Sequence, residues 1–112
     1  MASGRVQITV DESADKYHCD FTYRPTTLHL RSGDTVTFEI VQGSVSIEGL
    51  LLIFPHSPFA SGAAELRVGA RKPATETIGA HRGAFHYKSI DDSALTRGRP
   101  IYDIWCPSII VD

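Results

Sequence analysis

The chain has 112 residues, 42% hydrophobic and 21% charged, with a formal net charge of −2. That composition suits one folded domain and excludes a disordered chain. No basic excess supplies the footprint of a nucleic-acid binder, and the longest apolar candidate, Leu50 to Phe54, falls far short of the ~18 residues of a membrane span.

A chain this long can bury about 65% of the surface it exposes when unfolded, so one core suffices without metal or disulfides. Met1-Ala2-Ser3-Gly4 leads straight into a strand pattern with no charged and apolar leader. The expectation is a cytoplasmic protein; export with the leader already removed is the alternative. Arg5 to Val10 alternates, with Val6, Ile8 and Val10 on one face, which predicts a half-buried strand. Asp11 to Lys16 is polar and reads as a loop. Tyr17 to Tyr23 predicts a short strand, interrupted at Arg24-Pro25. Leu28 and Leu30 alternate in another. Ser32-Gly33-Asp34 has the chemistry of a tight turn, and Val36, Phe38 and Ile40 alternate after it, so the two runs predict a hairpin.

Val45 and Ile47 suggest a strand over 44–48, and Gly49 a bulge. Leu50 to Phe54 is five apolar residues in succession, the pattern of a strand buried on both faces, or of one that changes sheet after that bulge. Pro55 to Gly62 is a loop. Ala63 to Val68 fits a short helix, but Leu66 and Val68 alternate, and strand is preferred. Thr75 to Gly79 predicts a strand. So does Ala84 to Ile90, with Phe85, Tyr87 and Ser89 inward and His86 outward. Asp91 to Pro100 is a polar loop near ten residues, a length often associated with function. Ile101 to Trp105 and Ser108 to Val111 close the chain. Short strands at intervals of about ten residues mean an all-β sandwich or barrel.

Two cysteines, Cys19 and Cys106, are too few for a disulfide scaffold. Two readings stay open. Bonded, they would close a loop contributing ~4–5 kcal/mol in the chain-entropy model; unbonded, they are two small apolar side chains suited to a reducing compartment. No nucleophile elbow, His-Glu-x-x-His or phosphate-binding Gly loop is present. Asp91-Asp92 reads as a solvated turn before it reads as a carboxylate pair.

Three segments together resemble the cupredoxins. Leu28-x-Leu30-x-x-Gly33-Asp34-Thr35-Val36-Thr37-Phe38 is similar to the family's second-to-third strand hairpin. Gly83-Ala84-Phe85-His86-Tyr87-Lys88-Ser89, preceded by Thr75 to Ile78, is similar to the strand that ends at the copper thiolate. Ile109-Ile110-Val111-Asp112 is similar to the last strand. The resemblance covers under half the chain. It implies a Greek-key β-sandwich of about seven or eight strands as a single domain over residues 1–112.

It also implies where a type 1 copper would sit, and there the residues depart from the pattern. Such a site needs two His, one Cys thiolate and a weak axial ligand, often Met. Ser89 falls on the thiolate position. No His or Met occurs from Ile90 to Asp112, and the only Met is Met1. The first family His would fall near Ser44 to Ile47, where there is none. Phe54-Pro55-His56 imitates a plastocyanin motif but comes about ten residues too late after the turn. No cofactor is therefore expected. The expectation is a copper-free cupredoxin-like domain, not an enzyme, that acts as a binding or assembly module for an unidentified protein partner. An open strand edge also allows a homodimer. The alternative is a copper or zinc protein whose site has moved to other residues, with His56, His81, His86 and Cys106 as candidates and His18 as a further ligand for Cys106. Arg67, Arg71 and Lys72, with Arg97 and Arg99 in the long loop, would form a partner-binding rim if those loops share one end of the sandwich.

Overall fold

The computed structural model describes residues 2–12, 19–44, 47–91 and 107–112. They form ten strands: β1 (Ser3–Glu12), β2 (Cys19–Arg24), β3 (Thr27–Leu30), β4 (Thr35–Ile40), β5 (Gly49–Ile53), β6 (Glu65–Gly69), β7 (Ala74–Thr77), β8 (Gly83–His86), β9 (Lys88–Asp91) and β10 (Ser108–Val111). Among the described residues there is no helix long and apolar enough to cross a membrane. The strands build a four-stranded sheet ordered β2-β1-β4-β7, a second ordered β3-β10-β8 and a third ordered β6-β5-β9.

The first sheet follows directly from alternation. Val6, Ile8 and Val10 of β1 and Val36 and Phe38 of β4 are buried on its inner face. β1 runs parallel to β4, pairing Ser3 with Thr35 through Ile8 with Ile40, and antiparallel to β2. The outer face carries cross-strand polar pairs. Gln7 Nε2 donates to Glu39 Oε1 at 2.9 Å, and the Thr37 and Thr75 hydroxyls lie 2.9 Å apart. Each such pair contributes on the order of 0.2–1 kcal/mol.

The Gly33-Asp34 turn does not close a hairpin. Asp34 N–H donates to Arg31 C=O at 3.0 Å and Gly33 has φ 90°, so the turn itself is tight. Yet β3 pairs with β10 in the second sheet, and β4 pairs with β1 and β7 in the first. The chain crosses between layers here. Leu30 and Val36 are both buried, which two strands in opposite layers achieve by facing the same core. Alternation specifies a face, not a neighbour.

The predicted strand from Ala84 to Ile90 is two strands. β8 pairs with β10, while β9 pairs with β5. The change of partner falls at Tyr87, whose N–H donates to Pro107 C=O at 3.1 Å. The inward parity survives: Phe85, Tyr87 and Ser89 are buried and His86 is exposed. This division helps bring the number of strands to ten rather than seven or eight. Residues 65–69 are a strand, not a helix. The predicted strand over 44–48 is absent from its described part. Gln42 instead brackets that loop, accepting from Ile47 N–H at 3.2 Å and donating to Ile47 C=O at 3.1 Å. Asp11 and Glu12, expected in a loop, continue β1 and pair with Asp20 and Cys19 of β2; the rest of that loop, 13–16, and Ile101 to Trp105 lie outside the described residues.

The core is one cluster with an aromatic centre. Tyr87 stacks on Phe54 at 4.9 Å and meets Phe38 and Tyr23 edge-on at 5.7 and 5.6 Å. Phe59 meets Phe54 edge-on at 4.8 Å. Rings at these separations add about 0.5–1.5 kcal/mol per pair beyond the area they bury.

Candidate functional site

Ser89 is where chemistry would be sought first. β9 places it opposite Leu52 on β5, on the inner face, and only 3% of it is exposed. The Tyr23 hydroxyl of β2 donates to Ser89 Oγ at 2.7 Å, across 66 positions of sequence. Tyr23 is itself buried, and its ring leans on Tyr87. The two hydroxyls thus hold each other, with the Tyr23 ring against Tyr87. A Ser hydroxyl stays protonated at neutral pH, and nothing in this pairing turns it into a nucleophile or a metal ligand.

The loop after β4 is tied down by backbone and amide contacts. Val41 N–H donates to Ile8 C=O at 2.8 Å, and Ser44 N–H donates to Asp11 Oδ1 at 2.7 Å. Ile47 is 2% exposed and belongs to the core cluster. Where the resemblance would put a first imidazole, the described positions Ser44 and Ile47 offer a hydroxyl and an aliphatic side chain.

The described candidate ligands are not gathered into a group of three or more. His56 lies in the loop after β5, His81 in the turn before β8 and His86 at the end of β8; all three are exposed. Cys106 and His18 lie outside the described residues, as does the side chain of Cys19, so the cysteine pairing and the His18–Cys106 combination lie there too. Among the described residues no group of three or more His, Cys, Asp or Glu is placed to hold a metal. Arg67 is exposed on β6, and Arg71 and Lys72 are exposed in the turn where Gly69 and Lys72 form a bridge. Arg97 and Arg99 lie outside the described residues, as does Asp92; Asp91 ends β9 rather than starting a loop.

The structured end at the β3–β4 crossing gives no signal in the sequence beyond its turn. A groove of about 530 Å³ there is lined by His29, Arg31, Asp34 and Asp112, among others. Asp34 accepts from Arg31 N–H at 2.8 Å and from Ala2 N–H at 3.0 Å. Those backbone donors, first Arg31 and then Ala2, hold its carboxyl below the usual aspartate range, and the Arg31 charge adds to them; partial burial opposes the shift. His29 Nδ1 lies 3.3 Å from Asp112 Oδ2, an exposed pair. The Ser32-Gly33-Asp34 turn was visible as a motif; the strand-to-strand distance that brings Ala2 and Asp112 to it was not.

No protein-family model matches the chain, and no curated protein matches it. Solved structures do. A plastocyanin from Dryopteris crassirhizoma superposes with a TM-score of 0.57 at 14% identity, covering 96% of this chain and 99% of that one. A pseudoazurin from Sinorhizobium gives 0.52 at 20% identity, covering 100% and 75%. An amicyanin in its reduced state gives 0.52 at 16%, covering 95% and 80%. At these identities the likeness concerns the fold alone. The chain has the cupredoxin fold, an all-β sandwich of mixed sheets.

The described residues do not fit the copper that this fold implies. The position that the sequence resemblance would assign to the thiolate, Ser89, holds a buried hydroxyl already bonded to Tyr23, and a hard oxygen is a poor substitute for a soft anionic sulfur.

Proposed function

We propose that this protein is a copper-free cupredoxin-like domain that serves as a non-catalytic binding or assembly module. One observation carries the reading. Ser89, at the thiolate position, is sealed in the core and hydrogen-bonded to Tyr23 at 2.7 Å. The sandwich is kept while the group that would make it an electron carrier is replaced by an internal fastening. A rigid scaffold with exposed loops and strand edges is then free to present surfaces.

Metal titration tests this. Apo protein is titrated with Cu(II), Cu(I) and Zn(II), followed by calorimetry, absorption and thermal melting. The expected result is no stoichiometric tight binding and no rise in Tm. Tight one-to-one binding with a raised Tm would overturn the reading and point to a relocated site using His56, His81, His86 or Cys106, since a ligand that binds the native state must stabilise it.

A further inference from the structure

The five apolar residues from Leu50 to Phe54 leave β5 with two apolar faces. Leu50 and Leu52 point inward and are fully buried. Leu51 and Ile53 point outward. They are only half-buried and stand outside both the core cluster and the apolar side chains packed against it. On β9, Ile90 pairs with Leu51 and is half-buried too. An antiparallel sheet with a solvated outer face normally shows polar residues there. The first sheet does so, with Gln7, Thr37, Glu39 and Thr75. The third sheet shows aliphatic carbon instead.

Charge frames this patch in a self-complementary way. Ile53 pairs with Glu65 on one side and with Lys88 on the other, and both charged residues are exposed. One row across the sheet therefore reads Glu65, Ile53, Lys88. A two-fold axis lying in the interface along β5 exchanges the two edges of the sheet. It sets Glu65 of one copy opposite Lys88 of the other, and the reverse, with Ile53 on Ile53 and Leu51 on Leu51 between them. In the neighbouring row, Arg67 of one copy lies over Ile90 of the other, and its aliphatic stem suits that contact.

We propose that the outer face of the β6-β5-β9 sheet is an isologous interface, closed in solution by a second copy of this chain. A three-stranded face is small, so the dimer belongs with the weak contacts below ~1,200 Å² of total buried surface. The proposal rests on the assembly reading above, to which it gives a partner, but it fails separately. Metal binding would overturn the copper-free reading without touching the oligomeric state; a strict monomer would overturn this interface without touching metal binding.

Sedimentation velocity over a concentration series up to the solubility limit provides the test. A reversible monomer–dimer equilibrium is expected, weakened by added salt. Glu65→Lys and Lys88→Glu should each raise the dissociation constant by about tenfold, because like charges then meet across the axis. The combined reversal should restore it. Far-UV circular dichroism and the melting curve check that the exposed substitutions leave the fold intact. A monomer at every concentration would overturn the proposal. So would single reversals without effect, or a folded double reversal that stays weak.

Discussion

Truncating the buried pair formed by Tyr23 and Ser89 should expose how much the Ser89 hydroxyl contributes to the fold. Both residues are 3% exposed and their oxygens lie 2.7 Å apart. A buried hydrogen bond of this kind stabilises by about 0.5–1.5 kcal/mol net, and a hydroxyl stranded without its partner costs about 1–3 kcal/mol. Tyr23→Phe and Ser89→Ala should therefore each destabilise by about 1–3 kcal/mol. Each residue also has interactions beyond this pair, so neither single value isolates the bond. The double-mutant cycle does, because terms that belong to one residue alone cancel. Urea unfolding of the four proteins should show the double variant less destabilised than the sum of the singles by about 1 kcal/mol. A coupling below ~0.3 kcal/mol would refute the reasoning. The two hydroxyls would then not be acting as a unit, and the claim that Ser89 has become a structural fastening would lose its support.

Two further expectations concern the turns. A Cβ at Gly43 would stand 2.5 Å from Asp11 Oδ1 and 2.7 Å from the Val10 carbonyl oxygen. Gly43→Ala should cost about 1–3 kcal/mol, the usual penalty of overpacking, and a melting temperature equal to wild type would contradict it. Asp34 has its carboxyl pKa lowered in the folded state, so the stability it contributes is present above the unfolded value of ~3.9 and is lost as pH falls through the folded one. The gap in Tm between wild type and Asp34→Asn should narrow on acidification below about pH 4; a gap that stays constant or widens would contradict the assignment of its backbone partners.

Face and partner were unequally legible in the sequence. Val6, Ile8, Val10, Val36 and Phe38 declared their inward face through period-two alternation, and they are buried. Leu28 to Phe38 also alternated cleanly, yet the hairpin it suggested is a crossing between layers. Strand pairing depends on residues remote in sequence, here β10 for β3 and β1 for β4. The same limit hid the division of 84–90 at Tyr87, because the inward parity continues through the switch of partner. At the candidate site, Ser89 was legible because the flanking Gly83-to-Lys88 pattern aligns it. Its bond to Tyr23 was not, being a contact across 66 positions. Gln42 gave no signal either, since a Gln in a polar loop looks like any solvated side chain until Ile47 is seen in its grip.

The switch at Tyr87 bears on how the molecule comes apart. A continuous stretch of chain is bonded to β10 along its first half and to β5 along its second, so the two three-stranded sheets hold a common member. Neither can open its inner ladder without pulling on the other. Local opening of the kind that exposes amide protons should thus be confined to the edge strands that this shared stretch does not supply, β3 and β6. The amides of β8, β9, β5 and β10 that point into ladders should exchange together, in a single event close to global unfolding.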